Sequence, residues 1–275
     1  MNEIISYFNT IPSSHRSLIL VGGITLFWLI ENAYPLFNFN YKKWQHAGIN
    51  FFLTSTTILI NFSLAFLLVT TSDWTIANNF GILQWLPSMS SWLYALIGLL
   101  LLDFIGAYLV HLIEHKVKFL WRFHLIHHTD TWIDTTSGNR HHPGESVIRF
   151  TFTILGVFIV GSPMWLVFLY QTISVVSTQF THANIALPKK LDSFLSYFIV
   201  SPNMHKVHHH YKLPYTDSNY GNIFSIWDRI FGTFMYLPKE NIVYGIDTYM
   251  SHEENNRLNN LLKIPFQEQR SAKNS

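Results

Sequence analysis

Cysteine is absent from the 275 residues. Disulfides and thiolate ligands are therefore excluded, and a metal ion could be held only by histidine, carboxylate, carbonyl oxygen or water. Charge is also scarce, because only 12% of the residues are charged, about half the share of an average soluble protein. The net charge of +2 is too small to indicate nucleic-acid binding. With 49% apolar and 16% aromatic residues, the composition indicates a membrane protein.

Long apolar runs support this interpretation. Three of them, at 17–36, 47–71 and 91–110, are each long enough to cross about 30 Å of hydrocarbon as a helix. The first indicates a membrane anchor rather than a cleavable leader. A fourth run, 150–176, is interrupted by Gly-Ser-Pro. It predicts a broken helical hairpin whose arms are too short to span comfortably.

Basic residues predict the orientation of these helices. They follow the first and third runs, whereas the loop 72–90 contains neither Lys nor Arg. The basic residues concerned are Lys42, Lys43, Lys116, Lys118, Arg122 and Arg140. The positive-inside rule places both basic regions in the cytosol. We therefore expect an all-α integral membrane protein with about three spanning helices, a broken hairpin and a cytosolic, histidine-rich helical cap.

Histidine is the residue type that carries chemistry here. Twelve of the fifteen histidines lie between His111 and His210. Most of them form the clusters His111-x-x-x-His115, His124-x-x-His127-His128 and His205-x-x-His208-His209, with His182 alone between the last two. Residues three and four apart are neighbours on a helix, so each cluster can present its imidazoles together. These histidines exceed what one ion can bind, which implies two metal ions.

Several nearby residues are candidates for supporting roles. Asp103, Glu114 and Asp130 could accept the second ring N–H of a ligand histidine. The roles of His141, His142 and Glu145 stay open between metal binding, substrate positioning and capping of the next helix. His210 is predicted to be an extra residue of its run. The histidines outside the clusters, His15, His46 and His252, are predicted to lie on the surface.

The ordered series of motifs from about Leu102 to Tyr236 resembles the fatty acid hydroxylase superfamily, specifically its sterol desaturase-like members. The motifs are Asp103 with His111-Leu-Ile-Glu-His115, Trp121-Arg-Phe-His124-Leu-Ile-His127-His128, Arg140-His-His-Pro-Gly-Glu145, Thr181-His182-Ala-Asn184, Pro202-Asn-Met-His205-Lys-Val-His208-His209, Asn219-Tyr-Gly221 and Trp227-Asp-Arg-Ile-Phe-Gly-Thr233.

The resemblance implies an integral membrane oxygenase with two iron ions on the cytosolic side. Zinc could replace iron in purified protein. Such an enzyme hydroxylates or desaturates a fatty acyl, sterol, carotenoid or related lipid, using O₂ and an external cytochrome, ferredoxin or reductase. The resemblance implies that nine histidines are both metal ligands and catalytic residues. They are His111, His115, His124, His127, His128, His182, His205, His208 and His209.

The resemblance also divides the chain into membrane-anchoring helices (1–100), a catalytic domain (101–237) and a polar C-terminal tail (238–275). Within the second part, we expect the segment 219–233 to close the cap, with Trp227 and Phe231 packed inward and Asp228 paired with a base.

Two other functions remain open from the sequence alone. One is a metal-handling membrane protein, such as a transporter or sensor, and the other is an inactive homologue that keeps a structural metal cage. Transporters tend to place ionisable groups near the bilayer midplane. Here the clusters follow the apolar runs and lie among Lys and Arg, which favours the oxygenase.

Overall fold

The computed structural model describes residues 1–270, which form helices joined by loops without a β-strand. The predicted all-α class is confirmed. The α-helices are α1 Asn2–Asn9, α2 Ser13–Ala33, α3 Lys43–Ala77, α4 Ile82–Trp85, α5 Ser91–Asp103, α6 Val110–Lys116, α7 Lys118–His128, α8 Pro143–Val160, α9 Met164–His182, α10 Lys189–Leu195, α11 Pro202–His208, α12 Ile226–Ile230, α13 His252–Asn255 and α14 Leu258–Leu261. A π-helical segment, Phe104–Leu109, joins α5 to α6, and 3₁₀ turns cover Thr135–Asn139, Tyr215–Asp217, Lys239–Asn241 and Ile264–Phe266.

Four helical stretches are long and apolar enough to cross a membrane. They are Ser13–Ala33, Lys43–Trp85, Ser91–Lys116 and Pro143–Val160. The first overlaps the predicted run 17–36, and the next two contain the runs 47–71 and 91–110. Large apolar side chains on their outer faces are exposed, including Phe62 at 82%. Such a surface is stable in lipid and unstable in water, so the chain is an integral membrane protein.

The predicted hairpin is α8 and α9, joined by a break at 161–163. Its arms contain 18 and 19 residues, so they are longer than expected. They lengthen because polar residues at the histidine-bearing end continue both helices. The break lies at the opposite end of the bundle, where the Ser72 hydroxyl donates to the Ser162 carbonyl at 2.8 Å. The chain therefore returns to the end where the histidines lie.

The π-helical segment changes the helical register between Asp103 and the first histidine cluster. A π turn inserts one extra residue into the helix. The Asp103 carboxylate consequently faces the loop after residue 221 and accepts from the backbone N–H groups of Ile223 and Phe224 at 3.2 and 3.1 Å. It also accepts from the Trp227 indole at 3.1 Å. The expectation that Asp103 holds a ligand imidazole is wrong.

The C-terminal segment is better packed than its polar composition indicates. Leu261 and Ile264 are buried beside Leu125 and Ile126 of α7. The buried Arg140 guanidinium donates to the Asn255 carbonyl at 2.5 Å. This segment therefore covers the helix that carries the second histidine cluster. Residues 271–275 of the expected tail lie outside the described residues.

We predict that Gly161→Ala destabilises the protein by about 1–3 kcal/mol. Gly161 has φ +69°, and a Cβ there would lie 2.4 Å from the Phe80 carbonyl oxygen. The measurement is the melting temperature in detergent. The matched control is Gly48→Ala in α3, where a Cβ meets nothing within 4 Å. A melting temperature for Gly161→Ala as high as that of the control would contradict the prediction.

Candidate metal centre

The nine predicted histidines come together in two buried groups. Within each group, the candidate ligand atoms all lie within 4.8 Å of one another. We call these group one, formed by His111, His115, His124, His128 and His208, and group two, formed by His127, His182, His205 and His209. The two groups adjoin, because the rings of His128 and His209 are stacked with centroids 4.8 Å apart.

The two clusters of three histidines are each divided between the groups. On α7, His124 and His128 are one turn apart and belong to group one, whereas His127 belongs to group two. At α11 the pattern is reversed: His205 and His209, the residue directly after the helix, belong to group two, and His208 belongs to group one. Adjacent residues on a helix diverge by about 100°, so neighbouring histidines point to different groups. The remaining members come from α6 and α9.

Backbone carbonyls fix the orientation of three rings. The Nδ1–H groups of His111, His182 and His208 donate to the carbonyl oxygens of Tyr220, Thr178 and Ser218 at 2.9, 2.8 and 2.7 Å, respectively. A carbonyl oxygen only accepts hydrogen bonds, so the ring proton must lie on Nδ1. Each Nε2 is left with a bare lone pair that points into its group.

Carboxylates fix two more rings of group one. His124 Nδ1 donates to Glu145 at 2.7 Å, and His115 Nδ1 donates to Asp217 at 3.2 Å. Burial alone would raise the pKa of Asp217, but hydrogen bonds from His115 and Lys116 lower it to about 2. This carboxylate is therefore ionised at neutral pH. It also carries negative charge close to group one.

Glu145 is itself held in place. Its Oε1 atom accepts from Arg149 Nε at 2.9 Å and from His141 Nδ1 at 2.7 Å, in addition to the bond from His124. Arg149 also forms an ion pair with the buried Glu114 at 2.6 Å. Glu114 lies 3.8 Å from His124 Nδ1, so its main partner is the arginine. The orienting carboxylate for His124 is Glu145.

The Nε2 atoms converge within each group, and in group one a closest pair has no proton to share. The Nε2 atoms of His111 and His124 are 3.1 Å apart, yet both rings carry their proton on Nδ1. In group two, His182 Nε2 lies 2.9 Å from His205 Nε2 and 3.2 Å from His127 Nε2. Two nitrogen ligands about 2.1 Å from one metal ion are roughly 3.0–3.4 Å apart. The observed separations fit a shared cation.

Two further observations support this fit. The buried Nε2 atoms of His115 and His208 have no hydrogen-bond partner within residues 1–270. Burial and neighbouring imidazoles lower the pKa well below its ordinary value for His124, His127, His128, His205, His208 and His209. These rings are therefore neutral at pH 7 and can ligate. Imidazole nitrogen suits iron, zinc and copper rather than calcium or magnesium.

The structure also places the histidines whose roles stayed open. His142 caps α8, because its Nδ1 accepts from the Gly144 backbone N–H at 2.9 Å. His141 lies outside groups one and two, where its ring stacks on His127 with centroids 4.9 Å apart. His210 accepts from the Val243 backbone N–H at 3.1 Å and lies outside both groups, as predicted.

Two other expectations about the surroundings are wrong. His46 is buried rather than on the surface, and its Nε2 donates to Asp130 at 2.9 Å. Asp130 therefore holds this histidine and no member of either group. The reason is that α3 begins beside the loop that follows α7. No sequence pattern links these two segments, which are separated by 84 residues.

The segment 219–233 packs beside group one, but two of its side chains differ from expectation. Asp228 forms no ion pair with a base among residues 1–270, and it accepts from the backbone N–H groups of Tyr220 and Gly221 at 2.8 and 2.9 Å. These two hydrogen bonds fix the loop in which the Tyr220 carbonyl accepts from His111 Nδ1. Trp227 packs inward against Phe104, whereas Phe231 is 51% exposed.

Comparison with known families agrees with the geometry. The family model described as Fatty acid hydroxylase matches residues 95–233, about half of the chain. The chain belongs to the fatty acid hydroxylase family. The match contains all members of groups one and two, so the family's region and the histidine centre coincide.

Curated relatives in this family carry names of lipid enzymes. Ornithine lipid hydroxylase OlsE of Rhizobium tropici is 27% identical over 52% of this chain and 42% of its own length. Alkylglycerol monooxygenase of Danio rerio is 28% identical over 90% of this chain and 51% of its own length. Very-long-chain aldehyde decarbonylase GL1-9 of Oryza sativa subsp. indica is 33% identical over 51% of this chain and 54% of its own length. This chain thus spans about half the length of these relatives. No solved structure matches it.

We predict that Glu145→Gln weakens metal binding at group one by roughly 10–100-fold. The amide is a poorer acceptor for His124 Nδ1–H and for Arg149, so the imidazole is less basic and less well oriented. The measurement is titration of metal-free protein with Co²⁺, followed by visible absorption. The control is Glu240→Gln, at an exposed position outside both groups. Equal affinities in the two variants would refute an orienting role for Glu145.

Proposed function

We propose that this member of the fatty acid hydroxylase family is a membrane-bound di-iron oxygenase that hydroxylates or desaturates a lipid with O₂ and external electrons. The observation that carries the proposal is the convergence of nine buried imidazoles into two adjoining groups, in which the Nε2 atoms of His111, His124 and His182 are unprotonated. Iron bound there would supply the activation of O₂ and the oxidation of a C–H bond. The proposed catalytic unit is 101–237, attached to the membrane by the helices of 1–100.

The protein's own residues have defined tasks in this proposal. Group one would hold one iron ion and group two the other. Backbone carbonyls, together with Glu145 and Asp217, hold the ring protons of five of the nine histidines on Nδ1, so that the Nε2 atoms of these five are available before an ion binds. Burial of both groups excludes water, which limits side reactions. Zinc accepts the same nitrogen ligands but has no redox chemistry, so we expect activity only with iron.

The position of the two groups and the names of the relatives support a proposal for the substrate class. Both groups lie at the end of helices that are long and apolar enough to cross a membrane, so an apolar substrate can approach from lipid. The relatives are named for ornithine lipids, alkylglycerols and very-long-chain aldehydes, all of which contain alkyl chains. We propose a fatty acyl, sterol, carotenoid or related lipid as the substrate. An external cytochrome, ferredoxin or reductase supplies electrons.

The metal content tests the two-ion centre. We predict that His127→Ala and His208→Ala, one from each group, each lose at least the ion of their own group and lose activity. Iron per chain is measured by mass spectrometry on purified protein, and O₂-dependent oxidation of a lipid extract is measured with an added reductase. The control is His252→Ala, an exposed histidine outside both groups. Activity retained in both ligand variants would refute the mechanism.

Two outcomes would favour the other functions. Metal-dependent stability without turnover in the unsubstituted protein would indicate an inactive cage. Metal flux into vesicles without lipid oxidation would indicate transport.

We further propose that the histidine-bearing end faces the cytosol. The exposed Lys116 and Lys118 lie at that end, whereas the loop 78–90 at the other end has no basic residue. Because the chain lacks cysteine, single cysteines report the side directly. We predict that Ser88→Cys in intact cells reacts with a membrane-impermeant maleimide, whereas Lys118→Cys reacts only after lysis. The reverse pattern would invert the orientation.

A further inference from the structure

Two short helices outside the four apolar stretches carry an unusual number of exposed apolar side chains. On α10 and the turn after it, Phe194, Tyr197 and Phe198 are 61–62% exposed. On α12 and just after it, Ile230 is 60% exposed and Phe231 is 51% exposed. Exposed apolar patches of this kind mark an interaction surface rather than ordinary solvent-facing structure.

These side chains lie on two segments that are held together by direct contacts. Arg229 on α12 donates to the Ser196 carbonyl at 2.8 Å, and its guanidinium lies over the Tyr197 ring at 4.7 Å. The Ser225 backbone N–H donates to the Phe198 carbonyl at 3.4 Å. The two segments are therefore fixed side by side. We call them together the α10–α12 face.

The depth of this face is set by its contact with a candidate spanning helix. Phe231 stacks on Phe104 with centroids 5.5 Å apart, and Trp227 lies 4.9 Å from the same ring. Phe104 is thirteen residues after the start of the stretch Ser91–Lys116, or about 20 Å along the helix. The hydrocarbon core is about 30 Å thick. A segment packed at Phe104 therefore lies at the level of lipid.

The charges on this face suit a lipid surface as well. Lys189 and Lys190 begin α10 and are exposed, whereas Asp192 is buried and accepts from the Asn203 backbone N–H. Exposed charge on α10 is thus entirely positive. Basic residues beside exposed aromatic side chains are typical of helices that lie in the membrane interface. Their long side chains can reach phosphate groups while the apolar residues enter the acyl region.

We propose that the α10–α12 face is an interfacial membrane-binding surface: its apolar side chains enter the bilayer, and Lys189 and Lys190 contact phospholipid headgroups. The face does not depend on iron or on catalysis. For the proposed function, this face would determine where group one lies relative to the bilayer. Asp228 of α12 holds the Tyr220 backbone, whose carbonyl holds His111. The depth of this face therefore sets the depth of group one relative to an acyl chain.

The absence of native cysteine allows a direct test. Single variants Phe194→Cys, Phe198→Cys and Ile230→Cys are spin-labelled in nanodiscs of phosphatidylcholine and phosphatidylglycerol. Collision with O₂, which concentrates in lipid, is compared with collision with a water-soluble nickel chelate. Phe62→Cys on the outer face of α3 is the lipid-exposed reference, and Glu240→Cys is the water-exposed reference. We expect the three labels to resemble position 62.

Two results would overturn the proposal. Nickel accessibility equal to that at position 240 would show a water-exposed face. Exclusion of both reagents would show that protein, such as a second copy of the chain, covers the face. Should a label lower the melting temperature at one position, Leu191→Cys and Tyr197→Cys report on the same face. Because the readout is accessibility, its failure is separate from any failure to find iron or oxidation.

Discussion

The structure depends on lone pairs that are forced together where water cannot reach them. Hydrogen bonds to carbonyl and carboxylate oxygens fix the ring protons of His111 and His124 on Nδ1, so their Nε2 atoms, 3.1 Å apart, repel. Neither ring can turn its Nε2 atom toward another partner without breaking the hydrogen bond that its Nδ1–H group donates. A cation bound between them would convert this repulsion into ligation. The protein therefore places these nitrogen atoms as a cation would need them, and the surrounding hydrogen bonds and burial supply the energy for doing so.

Everything around the centre serves that placement. The hairpin of α8 and α9 returns the chain so that His182 meets the histidines of α7 and α11. Asp228 fixes the loop that supplies a carbonyl to His111, and Arg140 connects the C-terminal segment to the region behind α7. Asp103 contributes from a distance, since it holds the backbone at residues 223 and 224 rather than an imidazole. The supporting contacts are mostly from side chain to backbone, and they join segments far apart in the sequence.

Local spacing made the three histidine clusters predictable, because residues three and four apart are neighbours on a helix, but the expectation that each cluster presents its imidazoles together is wrong for the two clusters of three, which are divided between the groups. Long apolar runs likewise predicted the helices, and the Gly-Ser-Pro interruption predicted the hairpin. What the sequence could not supply were partners fixed by tertiary packing. Asp217 and Arg149 carry no motif that links them to His115 or Glu145, and backbone carbonyls carry none at all. The π-helical segment was also invisible, because its extra residue leaves the apolar pattern unchanged while rotating Asp103 away from the expected stripe.

The division of two of the histidine clusters between the groups has a mechanical consequence. Since His127 and His128 are consecutive residues that belong to different groups, the spacing of the two groups at this point is set by the twist and rise of one helix backbone. Substitution of either side chain would remove a member of its group but would leave this backbone spacing unchanged. A sliding of α7 against α11 would displace members of both groups at once. The two groups are therefore mechanically coupled, so that a displacement of α7 or α11 at one group is transmitted to the other.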